Sequence, residues 1–77
     1  MLLGQNAITG VPVSLVYSYE TGLATLTIRT SQGEVALSAS GGVALSLMRR
    51  VTKRTTGISV QYDPHDPTTI VAFTTTP

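Results

Sequence analysis

Four of the five basic residues in this chain lie within six positions: Arg49, Arg50, Lys53 and Arg54. The fifth is Arg29, and all four acidic residues lie outside this stretch. Guanidinium and ammonium groups gathered in this way bind phosphate or carboxylate groups. We therefore predict that the four residues, called the basic cluster below, contact nucleic acid or an acidic protein surface, with Arg29 as an accessory cation.

The basic cluster also has a simpler interpretation. Cations near the C-terminus of a helix complement its partial negative charge, and each contributes about 0.3–1 kcal/mol. The net charge of the chain is only +1, whereas nucleic-acid-binding domains usually carry a larger positive excess. Three interpretations stay open at this point: a solvated helix face, a phosphate-binding surface and a surface for an acidic protein.

A second candidate site lies just before the predicted helix, at Ser40, Gly41 and Gly42. Backbone N–H groups at the positive end of a helix can hold a phosphate. The segment lacks the Lys-Ser/Thr pair of a P-loop and the full dinucleotide fingerprint. A helix cap, with Ser40 or Ser38 as the capping residue, is the main interpretation, and an anion or nucleotide site is the alternative.

The sequence contains few side chains that could act in catalysis or bind a metal ion. The only histidine, His65, lies in the segment Asp63-Pro64-His65-Asp66-Pro67, and the chain has no cysteine. Two prolines and two aspartates are typical of a stiff hairpin turn, in which the carboxylates accept hydrogen bonds from nearby N–H groups. We therefore expect no metal, no cofactor and no enzymatic activity.

The same turn carries a resemblance to a known family. The pattern V-x-Y-D-P-x-D at residues 60–66 resembles a hairpin in the small β-barrel near the C-terminus of Mu-type transposases. The similar stretch, residues 58–73, covers about a fifth of the chain, and the integrase core of that family is absent. The resemblance implies a nucleoprotein context, and it assigns no functional residue.

The elements that hold these candidate sites follow from the hydrophobic periodicity. Segments that alternate between apolar and polar side chains predict strands, and glycine-containing turns separate the first three of them. The predicted strands are residues 11–19, 23–30, 35–37, 58–62 and 69–75. Tyr17 and Tyr19 share one face of the first strand, so we expect them in or beside the core rather than exposed as platforms for bases.

One segment changes to a helical period. In residues 43–55 the apolar positions recur as the buried stripe of a helix, and the basic cluster falls on roughly the opposite side. The buried stripe is predicted to consist of Ala44, Leu47, Met48 and Val51. The order β-β-β-α-β-β predicts an α+β domain, in which an antiparallel sheet has this one amphipathic helix packed on one face.

Size and composition limit the remaining questions. The 77 residues are 42% hydrophobic and 12% charged, which predicts one small domain at 11–77 after an extended lead-in at 1–10. No segment has the length of a membrane span and the N-terminus does not read as a secretory signal, so we expect a cytoplasmic protein. The uncharged strand Thr69–Thr75 can pair with a copy of itself, which predicts a homo-oligomer.

Together these features predict a small, non-catalytic, oligomeric binding module that contacts a macromolecule through the basic helix face. The alternative is a protein-interaction, inhibitor or assembly accessory factor of a virus or mobile element, without nucleic-acid binding. A nucleotide-binding protein that uses Ser40, Gly41 and Gly42 is a third hypothesis.

Overall fold

The computed structural model describes residues 6–76, which form five strands and one helix. Along the chain these are β1 (Ala7–Ser18), β2 (Leu23–Thr30), β3 (Gly33–Ser40), α1 (Gly41–Arg50), β4 (Gly57–Asp63) and β5 (Asp66–Thr76). The strands close into a barrel in the order β1-β2-β3-β5-β4, and β1 pairs with both β2 and β4. The predicted α+β arrangement, a sheet with a helix packed on one face, is therefore wrong.

The barrel closes because β1 belongs to two sheets. Residues 7–10 pair with β4 and residues 11–18 pair with β2, with a register shift between Pro12 and Ser14. A β-bulge bends a strand and increases its twist, and proline removes one ladder donor at the same place. Gly10 lies where the two sheets separate, and a Cβ there would overlap the carbonyl oxygen of Arg29. The alternation of apolar and polar residues in the sequence does not predict this bend in β1.

The barrel interior is entirely apolar among the described residues. The inward side chains of β2 have no exposed surface, and those of β3, β4, β5 and α1 complete the cluster. The buried residues are Ala24, Leu26, Ile28, Leu37, Ala39, Ala44, Leu47, Ile58, Val60 and Ile70. Because α1 contacts four strands and contributes two members of this cluster, it closes an opening of the barrel rather than covering a sheet face.

The helix is shorter than the periodicity predicts. It ends at Arg50, and Val51 is already extended, with φ −85° and ψ 117°. The hydroxyl of Thr55 accepts a hydrogen bond from the N–H of Thr52 (3.0 Å), and the hydroxyl of Thr52 accepts one from Arg54 (3.1 Å). Such local side-chain bonds compete with helical ones, which explains why the helix stops here.

Three side chains therefore differ from their predicted positions. Lys53 and Arg54 lie in a turn beyond the helix, so the basic cluster is not one face of a helix. Met48 is 41% exposed and does not belong to the core, while Ala44 and Leu47 are buried as predicted. A ten-residue helix that covers a barrel opening buries only a narrow stripe.

The two tyrosines of β1 separate at the strand end. Tyr17 packs against the core, whereas Tyr19 lies in the β1–β2 turn and is 87% exposed. Their rings meet edge to face, with centroids 5.0 Å apart and planes at 85°. The prediction that Tyr19 is a core or core-edge residue is wrong, because β1 ends at Ser18 and the alternation no longer applies to it.

The predicted lead-in, residues 1–10, overlaps β1 from Ala7 onward, and its first five residues lie outside the described part of the chain. Within residues 6–76, no helix has the length and apolar character needed to cross a membrane.

Candidate functional site

Two neighbouring elements supply the basic cluster. Arg49 and Arg50 occupy the last turn of α1, and Lys53 and Arg54 follow in the loop that leads to β4. All four side chains are exposed. Their proximity depends on the loop, because the threonine hydroxyls described above fold residues 52–55 into a tight turn.

The cluster lies between two surface grooves. One, with a volume of about 520 Å³, runs between α1 and β5 and is lined by Arg50 together with Gly42, Val43, Ser46, Ala72 and Phe73. The other, of about 330 Å³, runs between the loop after α1 and the bulge of β1, and Lys53 lines it beside residues 12–15. One cation therefore borders each groove, so a ligand in either groove would meet a positive charge.

No carboxylate neutralises the cluster within the described part of the chain. The ion pair found there joins Arg29 and Glu34, 3.5 Å apart on the outer face of β2 and β3. The predicted accessory cation thus has a carboxylate partner, while the four cations of the cluster have none among residues 6–76. A pair this exposed contributes little to stability, about 0–1 kcal/mol.

Two of the three remaining carboxylates are separated from the cluster by the length of a strand. Asp63 and Asp66 lie at the far end of β4, and six residues of extended chain from Gly57 span about 20 Å. Glu20 lies in the β1–β2 turn, where Leu23 pairs with Ser40, so this turn is at the barrel end that carries the start of α1. The region at the end of α1 is therefore strongly positive, although the net charge of the whole chain is only +1.

The predicted anion site occupies the start of the helix. Ser40 is the N-cap, with φ −134°, but its side chain makes no capping hydrogen bond. Gly41 has a φ of +58°, a left-handed conformation that favours glycine and turns the chain from β3 into α1. Gly42 lines the larger groove, as does Arg50. Both ends of α1 thus border one groove because the helix spans only about 15 Å; anion binding at its start stays a prediction.

The β4–β5 turn has the hydrogen bonds that its sequence suggests. Asp63 accepts a bond from the N–H of His65 at 2.8 Å. Asp66 accepts bonds from the hydroxyls of Thr68 (2.7 Å) and Thr69 (2.8 Å) and from the Thr68 N–H (3.2 Å). These bonds stabilise the carboxylate and lower the pKa of Asp66. Residues 6–76 contain no group of three or more acidic, histidine or cysteine side chains placed to hold a metal ion.

The outer face of β1 is an apolar surface that alternation did not predict. Val11, Val13 and Val16 are 45%, 43% and 65% exposed. Strict alternation with Leu15 and Tyr17, which pack against the core, would point Val13 inward, but Val13 is the extra residue of the bulge after Pro12 and is exposed. A proline inside an alternating run was the available signal, because proline is usual at bulges and edges.

The chain matches no protein-family model, no curated protein and no solved structure. The resemblance of the β4–β5 hairpin to Mu-type transposases stays a prediction.

Proposed function

We propose that this protein is a non-catalytic nucleic-acid-binding module that contacts phosphate groups through Arg49, Arg50, Lys53 and Arg54. One observation carries the proposal: four exposed cations lie in six residues and have no carboxylate partner among residues 6–76. Exposed, unneutralised cations release counterions from nucleic acid on binding, and this supplies most of the affinity of non-specific complexes. A cytoplasmic location is part of the proposal.

The barrel architecture supports this choice over an acidic protein. OB-fold domains are also five-stranded barrels, and they bind oligonucleotides through the β2–β3 face and the β1–β2 and β4–β5 loops. This support is an analogy of fold. Here the outer β2–β3 face carries small uncharged side chains, such as Thr25 and Ala36, besides the Arg29–Glu34 pair. Phosphate contacts therefore fall to the basic cluster.

The exposed ring of Tyr19 favours single strands as the ligand. It lies in the β1–β2 turn, 87% exposed, and the edge of Tyr17 orients it. Proteins that bind single strands without sequence preference combine a basic groove with aromatic rings on which bases stack. One ring can stack one base, so we expect a modest preference for single strands over duplex.

The salt dependence of binding tests the proposal. With four phosphate contacts, log K falls against log salt with a slope of about −2.8 for single strands and about −3.6 for duplex. Between 50 and 200 mM salt the affinity for a labelled oligothymidine, measured by fluorescence anisotropy, should drop by about 50-fold. A slope near zero would contradict phosphate binding by the cluster.

A matched pair of charge reversals locates the contact. Lys53→Glu should weaken binding strongly and make the slope shallower, because it removes a contact and adds a repulsion. Arg29→Glu changes the net charge equally but lies outside the cluster, so its effect should be much smaller. Equal losses in both variants would mean that net charge alone governs binding, and the proposal would be wrong.

The second candidate is a protein-interaction module, and the exposed valines of β1 favour it. Val13 borders the Lys53 groove, so an apolar surface and a cation adjoin. Binding of this kind depends on buried apolar area and survives high salt. Failure to bind oligonucleotides at 50 mM salt would favour this function over the first.

A further inference from the structure

Most of one edge of β5 pairs with no described strand. On one side β5 pairs with β4 over its whole length, but on the other side it pairs with β3 at a single position, Ser38 with Thr69. The cause is the end of β3: the chain leaves the sheet at Gly41 and enters α1. Beyond Thr69, no described strand pairs with this second edge of β5.

The direction of the free backbone groups follows from two hydrogen bonds. The carbonyl oxygen of Thr76 accepts a bond from the N–H of Thr56, on the β4 side, at 2.9 Å. Backbone groups of successive strand residues point to opposite edges. The backbone groups of Thr74 therefore also point to β4, whereas those of Phe73 and Thr75 point away from β4. Their N–H and C=O groups form the open edge.

The β4 ladder independently supports this assignment. The N–H of Tyr62 donates to Asn6, at the start of β1, at 2.8 Å. In β4 the backbone N–H and C=O groups of even-numbered residues, up to the register shift, therefore point to β1. Those of Ser59 point to β5. The hydrogen bonds of β4 and of β5 therefore lead to the same assignment of the free backbone groups, at Phe73 and Thr75.

The strand itself lacks the features that usually prevent strand pairing, although α1 contacts β5 and borders the groove beside this edge. Natural edge strands carry charges, prolines or bulges that block a second strand. Here the last bulge is at Val71, and residues 72–76 contain neither a charge nor a proline. The groove of about 520 Å³ between this edge and α1 leaves the approach open.

We propose that this edge of β5, residues 72–76, pairs antiparallel with the same edge of a second copy of the chain. An antiparallel pair about a two-fold axis is self-complementary, because each strand offers the N–H and C=O groups that the other needs. No charged side chain of one edge opposes a charge on the other, so the uncharged strand of a second copy fits it. The result is a continuous sheet β4-β5-β5-β4.

Pairing in this way changes the basic cluster, and this consequence rests on the proposed function. Arg50 lines the groove beside Ala72 and Phe73. A two-fold axis between the two β5 strands, perpendicular to the new sheet, therefore brings both copies of Arg50 to one side of that sheet. Two clusters become one surface of eight cations, which could follow a longer stretch of phosphates.

The juxtaposed cations also predict the effect of salt on dimerisation. Like charges near the axis repel, and this repulsion is screened as the Debye length falls from about 30 Å at 0.01 M to about 8 Å at 0.15 M. Dimers should therefore become tighter as salt rises, while nucleic-acid binding becomes weaker. The opposite signs separate the two proposals experimentally.

Analytical ultracentrifugation over a range of protein concentrations tests the interface. We expect a monomer–dimer equilibrium that Val71→Lys weakens by at least about tenfold, because a charge next to a strand edge opposes pairing. Val16→Lys is the matched control: the same change at another exposed strand valine, on β1, should leave the equilibrium unchanged. A monomer at all concentrations and salts, or equal effects of both variants, would overturn the proposal.

Amide hydrogen exchange shows which edge is used. In dilute protein the N–H of Thr75 should exchange much faster than that of Thr74, which faces β4. As the dimer forms, Thr75 and Phe73 should become protected while Thr74 does not change. A dimer that protects β1 amides instead would place the interface elsewhere and contradict the proposal.

Wild-type oligothymidine binding by Val71→Lys at monomer concentrations would leave the proposed function intact.

Discussion

The two sides of this barrel differ in how completely their strands are paired. On the paired side, formed by β1, β2 and β3, every residue of β2 from Leu23 to Thr30 has a partner in β3. At the seam, where β3 gives way to α1 beside β5, a single residue pair joins the strands. The paired side contributes half of the buried core through β2 and β3, whereas the seam carries the open edge and borders the basic cluster. Stability and contact chemistry are therefore concentrated in different regions.

The largest effect is expected on the paired side. Leu26 has no exposed surface and lies at the centre of the core, so Leu26→Ala should lower the free energy of unfolding by about 2–5 kcal/mol. Val16→Ala changes an exposed residue of the same side and should stay within about 0.5 kcal/mol. Urea denaturation measures both. A loss below about 1 kcal/mol for Leu26→Ala would mean that the paired side does not dominate stability.

A pair of glycine substitutions sharpens the contrast. Gly10→Ala would push a Cβ into the carbonyl oxygen of Arg29, with the Ile28 Cγ2 atom 2.8 Å away, so we expect a loss of about 1–3 kcal/mol. Gly42→Ala, in α1 at the seam, meets no atom within 4 Å and should stabilise the fold by about 0.4–1 kcal/mol. Thermal unfolding of the two variants should shift in opposite directions. A shift in the same direction would contradict the difference in packing between the two regions.

The smallest effect is expected on the stability of the fold at low pH. The hydroxyl bonds from Thr68 and Thr69 hold the pKa of Asp66 below its usual value of 3.8. A lowered pKa in the folded state gives stability that is present above the unfolded value and is lost as pH falls through the folded one. Asp66→Asn should therefore flatten the decline of the melting temperature below pH 4 slightly. Glu20→Gln, in the β1–β2 turn, serves as the control, and equal flattening in both would contradict a specific role for Asp66.

Sequence periodicity predicted much of the local structure because strand and helix periods are local properties. The inward positions of β2, namely Ala24, Leu26 and Ile28, are buried as the alternation predicts. The Asp63 and Asp66 turn was also predictable, since its hydrogen bonds join residues two or three apart. Alternation failed at Val13 because Val13 is itself the extra residue of the bulge, whereas Leu15 and Tyr17 beyond it pack against the core.

The candidate site was predictable in composition but not in shape. The clustering of Arg49, Arg50, Lys53 and Arg54 is visible in the sequence, and a helical wheel placed all four on one face. Threonine hydroxyls end the helix after Arg50, and this divides the cluster between a helix end and a turn. The groove that joins Arg50 to Phe73 depends on residues 23 positions apart, which no local pattern reports.

The sequence by itself determined the order and approximate positions of the strands and the helix, and where the positive charge is concentrated. Each of these depends on neighbours within a few positions. Only the tertiary structure decided that the strands close into a barrel, because closure requires β1 to bend and pair with both β2 and β4. It also decided that the edge of β5 is open beyond Thr69, since this depends on where β3 ends in space.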